Sequence, residues 1–432
     1  MQAASRRIVL QPDVPICQTD LPLDWYQPEF KPYAEEYLAL PDRTPETVLP
    51  WMDRYIEPAR AALGRELILL AHYYMGGEIV KLVERYGGLI ADSYQLAREA
   101  VLHAEKRIFV ESAVHFMAEA IALLAAPHQQ VWITNPKSGC TMEMMAKEFM
   151  IAPAFAKLEA RYGESLMVIA YMNTSGRVKA LAGRTGGAVC TSSNAGAIMR
   201  WARAQKKKIF FVPDQHLGRN VAAEVGVAPE KIVVLPPGHE GGDLSDTDLR
   251  NLDGAELLLW GSFCGVHTIF TPAHVAYWRA RGYRVVVHPE SRREVVAIAD
   301  GHGSTSQLWR MVLEAPRGSR FAVGTEGHFV NNLREQAAPR GIEVVHLADV
   351  PGDAAAGCGC ATMSRNDPPH LVALLDLLAK GKAPDLNRVL PGDVVDEVSG
   401  ARERLDVAGQ SRVAREARRA LERMIEITEA AR

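Results

Sequence analysis

The 432-residue sequence predicts an α/β fold made of several small parallel sheets rather than one large one. Three observations carry that prediction. Short continuous apolar runs alternate with helical stretches from residue 66 onward. Polar residues cluster at the end of nearly every run. Three glycine-associated cysteines sit in the same kind of turn far apart in the chain.

The runs are ELILLA (66–71), GLIAD (88–92), RIFVE (107–111), QVWIT (130–134), LMVIA (166–170), GAVC (187–190), KIFFV (208–212), KIVVL (231–235), AELLLW (255–260), RVVVH (284–288), RFAVG (320–324) and IEVVHL (342–347). Strand-length runs without polar alternation, separated by helical stretches, indicate parallel sheets covered on both faces. Twelve strands strain a single open sheet, whereas three sheets of about four strands match common sheet sizes. They also match the cysteine spacing, 264 − 140 = 124 and 360 − 264 = 96 residues. Residues 1–60 are rich in proline and aromatics and lack periodicity until MDRYIEPARAALG, which reads as a surface extension with no part in the chemistry. Residues 400–432 form an amphipathic helical tail suited to core packing.

Composition excludes several classes. Apolar content of 48% and charged content of 23% are ordinary for a globular protein. A net charge of −3 gives no electrostatic reason to expect nucleic acid or an anionic membrane as partner. No apolar stretch approaches the ~20 residues of a membrane span. The N-terminus lacks the apolar core and cleavage site of a secretory signal, which points to a reducing, cytoplasmic compartment. There cysteines serve more often as ligands or catalysts than as disulfides. Of the six, Cys17 and Cys190 read as ordinary thiols.

Cys264, in GSFCGVH, lies between an apolar strand and the helix TPAHVAYWRARG. Cys140 follows QQVWITNPKSG and opens TMEMMAKEF, and Cys360 follows IEVVHLADV and the run GCGC. Three convergent thiolates suit an iron–sulfur cluster with one iron left open, and an open position is what metal catalysis uses. Three unrelated buried thiols fit the same residues. So does a zinc site with His267 in C-x-x-H spacing, although no second close cysteine pair supports it. Open α/β sheets bind ligands beyond the carboxyl ends of their strands. His72, Tyr74, Ser93, Tyr171, Asn173, Ser192, His288 and Glu290 all fall there. Imidazoles at strand ends can donate to a carboxylate or carry a proton, and Glu290 is the acid/base candidate. A solvated loop carboxylate is the alternative for Glu290. Ser192 and Thr305 open helices, where hydroxyls cap the helix and can hold an anion.

Together the segments AHYY (71–74), ADS (91–93), HFMAEA (115–120), SGC (138–140), YMNTSGRVKAL (171–181), CTSSNA (190–195), FVPDQHLGRNVA (211–222), GSFCGVH (261–267), HPES (288–291), GSTS (303–306), VGTEGHFVNNL (323–333) and CATM (360–363) closely resemble the quinolinate synthase (NadA) family. The resemblance implies three pseudo-threefold-related α/β/α domains around a central [4Fe–4S] cluster. It implies condensation of iminoaspartate with dihydroxyacetone phosphate to quinolinate, with release of phosphate and water. The family's cluster ligands fall on Cys140, Cys264 and Cys360. Some members carry C-x-x-C-x-x-C at the third ligand, whereas here the run is Cys358-Gly359-Cys360; Cys360 is chosen because Met363 follows at the family spacing. Substrate-binding positions fall on His72, Ser93, Tyr171, Met172, Asn173, Ser192, His288, Pro289, Glu290 and Thr305. Tyr74 and His267 match residues near the reacting carbons, so Glu290, Tyr74, His267 and Tyr171 are the expected catalytic set. An aspartate oxidase or dehydrogenase is the expected source of the unstable imine. The expected division is an extension (1–60), a first domain (61–142 with 381–432), a second (143–265) and a third (266–380). Two rival readings are a reductive iron–sulfur enzyme acting on an allylic diphosphate and a non-enzymatic metal-binding protein.

Overall fold

All twelve apolar runs become strands in the computed structural model, which describes residues 21–75, 78–236, 244–352 and 359–431. The first sheet contains β1 (Leu67–His72), β2 (Leu89–Ala91), β3 (Ile108–Ser112) and β4 (Gln130–Ile133). The second contains β5 (Leu166–Tyr171), β6 (Ala188–Cys190), β7 (Lys208–Val212), β8 (Ile232–Leu235) and β9 (Leu257–Trp260). The third contains β10 (Arg284–Val287), β11 (Gly301–His302), β12 (Arg320–Gly324) and β13 (Glu343–His346). All pairings among these strands are parallel. A short strand that the sequence did not reveal, β14 (Arg388–Val389), joins β4 antiparallel. β11 was also not foreseen, since Gly301-His302 has no apolar run to mark it.

The three sheets share one strand order. In each, the first strand lies between the second and the third, and the next position belongs to β4, β9 or β13. β8 is an addition at the far edge of the second sheet. This order reverses direction between the first and third strands, and that point in an open α/β sheet forms a ligand crevice. Each of the three cysteines follows the strand beyond it: Cys140 after β4, Cys264 after β9 and Cys360 after β13.

Helices leave the strand ends through side-chain caps that satisfy their free N–H groups. Asp92 accepts from Gln95 N at 3.0 Å, Asp214 from Leu217 N at 2.6 Å, and Glu326 from Phe329 N at 2.9 Å. Ser304 and Gln307 form a reciprocal capping box.

The described part of the N-terminal extension is helical from Lys31 to Leu38 and from Pro45 to Leu63. The second helix starts before MDRYIEPARAALG because Pro45 occupies its first turn, where a proline is tolerated, while Pro50 inside it obscured the pattern. The extension buries Phe30, Tyr37, Trp51 and Ile56, and Tyr26 and Tyr33 donate to Asp367 and Asp376 of the region Pro368–Ala379 or its cap. The C-terminal helix Val407–Ala430 bridges two units. Arg418 donates to the carbonyls of Leu123 and Ala125 at 3.0 and 2.6 Å, while Asn194 Nδ2 donates to Thr428 Oγ1 at 2.9 Å. No helix among the described residues is long and apolar enough to cross a membrane.

Candidate active site

Strand register shows how one cavity draws equivalent positions from three units. His72 is level with Ala91, and Tyr171 with Cys190. Val287 is level with His302, which puts His288 beside Gly303. His72, Tyr171 and His288 are therefore counterparts at the ends of the first strands. Two residues on stand Tyr74, Asn173 and Glu290, and two residues beyond the paired position stand Ser93, Ser192 and Thr305. All nine line the same cavity, together with Cys140, Cys264, Cys360 and His267.

Met172 and Pro289 do not line it. They lie between lining residues, Met172 in the bend after β5 and Pro289 in the turn after β10. Met172 is fully buried behind the cavity, while the Pro289 carbonyl accepts from Asn220 Nδ2 at 2.8 Å. Pro289 lines an adjoining cavity that shares Asp92, Ser192 and Ser193 with the first and carries Arg200, Arg310 and His302. Residues 21–63 contribute nothing to the first cavity's lining.

The polar groups form cross-unit contacts. The Tyr74 hydroxyl lies 2.7 Å from Thr325 Oγ1, which lies 3.1 Å from His267 Nε2. His267 Nδ1 is 2.8 Å from Glu290 Oε2, a close but poorly aligned contact, and Tyr171 donates its hydroxyl to Glu290 Oε1. The His267 and His288 rings stack at 4.4 Å. Asn173 Nδ2 lies 3.7 Å from Cys140 Sγ, and Ser306 donates to Asp92 at 2.6 Å.

His72 and His288 behave alike. Each accepts through Nδ1 from the N–H two residues on, Tyr74 N at 3.2 Å and Glu290 N at 3.4 Å. That bond leaves the ring hydrogen on Nε2 of the neutral imidazole. Burial lowers both histidines to about 3, against a smaller upward pull from Glu290. They are thus neutral donors. Burial raises Glu290, but the His267 contact and the Tyr171 hydroxyl outweigh it and hold the carboxyl below the usual carboxylate range. Burial, with the Glu290 charge, pushes the Tyr74 and Tyr171 phenols up, so both keep their protons.

The cysteines fit a shared cationic group. None is in a disulfide, each is pushed up first by burial, and the charge of one thiolate raises the others. Three thiols close enough that the Cys360 charge raises Cys140 and Cys264 are a donor set that a metal centre completes, because its positive charge stabilises the thiolates. Glu326 Oε1 accepts from Cys360 N at 3.0 Å and so holds that turn. The ligand atoms of Cys264, His267 and Glu290 also lie within 4.8 Å of one another and could hold a metal ion. Met363, whose spacing singled out Cys360, lines the cavity; Cys17 and Cys358 lie outside the described residues.

Sequence reasoning did not select Thr325 or Glu326, although both stand at the end of β12 where polar residues were expected to matter. Their neighbours in space come from other units, which no local pattern shows. Met117 and Val266, also in the lining, carry no chemical signal at all.

The profile of one family, Quinolinate synthetase A protein, matches residues 55–426. The chain belongs to that family. It is 40% identical to the quinolinate synthase of Acidobacterium capsulatum, over 84% of this chain and 92% of that protein. It is 37% identical to the quinolinate synthases of Streptomyces coelicolor and Geobacillus kaustophilus, over 82% and 79% of this chain and 87% and 89% of those proteins. Membership makes the chain an enzyme, and it agrees with an α/β architecture of small, mostly parallel sheets flanked by helices.

Proposed function

We propose that the enzyme condenses iminoaspartate with dihydroxyacetone phosphate to quinolinate, releasing phosphate and water, in the biosynthesis of NAD. One observation carries this reading: a family member's cavity takes a thiol, a strand-end His or Tyr, and a hydroxyl at or shortly before a helix start from each of three units. Cys140, Cys264 and Cys360 would hold a [4Fe–4S] cluster. When bound, such a cluster supplies a Lewis-acid position for a substrate carboxylate or hydroxyl.

The chain's own groups account for the rest. Ser93, Ser192 and Thr305 sit where helix N–H groups and hydroxyls together favour phosphate and carboxylate. Neutral His72 and His288, with Asn173, donate hydrogen bonds without adding charge. Glu290 is ionised and able to take a proton from carbon, with Tyr171 bonded to it throughout. Tyr74 and His267 face the same cavity as proton donors. The buried walls keep water from a hydrolysable imine. The unstable substrate requires a supplying enzyme that oxidises or dehydrogenates aspartate. Residues 61–142 with 381–432, 143–265 and 266–380 would each deliver one thiolate.

Anaerobic enzyme given dihydroxyacetone phosphate and freshly generated iminoaspartate, without reductant, should form quinolinate and phosphate in equal amounts. Cys140→Ala, Cys264→Ala and Cys360→Ala should each lose bound iron. Failure of the iron-replete wild type to form quinolinate, with electrons consumed on an allylic diphosphate instead, would favour the reductive alternative. Normal iron in Cys360→Ala with loss in Cys358→Ala would move the third ligand.

A further inference from the structure

Glu119 and Lys179 are fully buried, yet neither lines the active-site cavity. Burying such groups is costly unless other polar groups meet them, so their partners indicate their task. Glu119 stands on the helix His115–Leu124, beside the first sheet, and accepts from Gly176 N at 2.6 Å and from Gly392 N at 2.7 Å. Gly176 opens the helix Gly176–Arg184, which follows β5 of the second sheet. A Cβ on Gly176 would stand 2.3 Å from Glu119 Oε1, so the approach needs a glycine. Lys179, one turn into that helix, sends its ammonium back to the Thr174 carbonyl and lies 5.6 Å from the centre of the Phe116 ring. Burial lowers Lys179, and the charges of Glu119 and Glu143 oppose that. Glu143 is on the short helix that Cys140 opens.

These anchors close on one short piece of chain. Thr174 is fully buried, and its hydroxyl donates to Tyr171 O at 2.9 Å. The residue before it, Asn173, lines the cavity and aims its amide at Cys140 Sγ, 3.7 Å away on the turn after β4. The backbone behind Asn173 is therefore held from outside the cavity, at Thr174 by Lys179 and at Gly176 by Glu119.

We propose that Glu119 and Lys179 are positioning residues that fix Asn173 against the bound substrate and the Cys140 turn. This rests on the quinolinate synthase reading. A hydrogen bond weakens steeply with misalignment, so an amide on a loop free to shift loses its worth as a donor. The residue types suit the task. A carboxylate has two oxygens and can accept from two N–H groups at once, while an ammonium only donates and has a stem long enough to span one helical turn.

The test is a double-mutant cycle with Asn173. Lys179→Met keeps the length of the side chain and removes the ammonium. In iron-replete enzyme it should weaken quinolinate binding and raise KM roughly 10-fold, the scale of one hydrogen bond, with iron content unchanged and kcat within about 3-fold of wild type. Asn173→Ala should have the same effect, and Lys179→Met added to Asn173→Ala should weaken quinolinate binding no further. Glu119→Gln, with one accepting oxygen in place of two, should act in the same direction. Unchanged quinolinate affinity in Lys179→Met overturns the proposal. So does a further 10-fold loss when it is added to Asn173→Ala, which would make Lys179 a general support of the fold. If Lys179→Met does not hold its iron, Lys179→Gln, with a donor head on a shorter stem, carries the same cycle. A wild type that forms no quinolinate overturns the functional reading, and this proposal with it, before any variant is made, so the two failures are distinct.

Discussion

Glu290 is ionised where burial alone would protonate it. The His267 imidazole and the Tyr171 phenol hold the charge there, and those two groups come from the loop after Cys264 and the end of β5. A carboxylate that stays charged in the cavity carries no proton of its own and so has a site to accept one from substrate. Glu290→Gln keeps the shape and a hydrogen-bonding group but cannot accept a proton. It should therefore retain iron and KM while kcat falls by roughly 10²–10⁴-fold. An unchanged kcat would return Glu290 to a structural part in orienting Tyr171. The residue types at this site were legible in the sequence because each stands at a strand end, but their pairing was not. His267 and Glu290 are 23 residues apart (290 − 267), and Tyr171 is a further 96 from His267.

Helix placement depends on close backbone approach as much as on apolar faces. Gly183, in the helix Gly176–Arg184, lies against the C-terminal helix so closely that an added Cβ would stand 1.8 Å from the carbonyl oxygen of Glu416. The obstruction is backbone, so no side-chain rotation relieves it. Gly183→Ala should destabilise the fold by about 1–3 kcal/mol or more through overpacking, read as a lower urea midpoint. A midpoint equal to wild type would mean the two helices separate without cost. The C-terminal helix itself was evident from its amphipathic pattern, with Val413, Ala417, Leu421 and Met424 buried. Its partner was not evident, because a glycine in a helix leaves no apolar mark.

Across the whole molecule, three sheets with one strand order place three cysteines around one cavity, and segments outside the sheets fasten the units together. The C-terminal helix touches both the first and the second, and the N-terminal helices cover Pro368–Ala379 through paired Tyr–Asp contacts. A chain ending at residue 406 should therefore lose more than a terminal helix. It would expose apolar surface on two units, bind a hydrophobic dye and unfold at lower urea. Unchanged dye binding and urea midpoint would make the helix an appendage.

The sequence by itself determined the α/β class, the twelve main strands and the strand ends where the chemistry gathers, because burial on both sheet faces demands continuous apolar runs. It also marked Cys140, Cys264 and Cys360, since glycine-associated turns after strands are local features. The tertiary structure decided which residues meet. Lateral strand order and register brought His72, Tyr171 and His288 to equivalent positions, turned Met172 and Pro289 away, and placed Thr325 between Tyr74 and His267. Those contacts span separate units, and the free energy that selects them comes from packing between sheets and helices distant in the chain, so no window of sequence contains it.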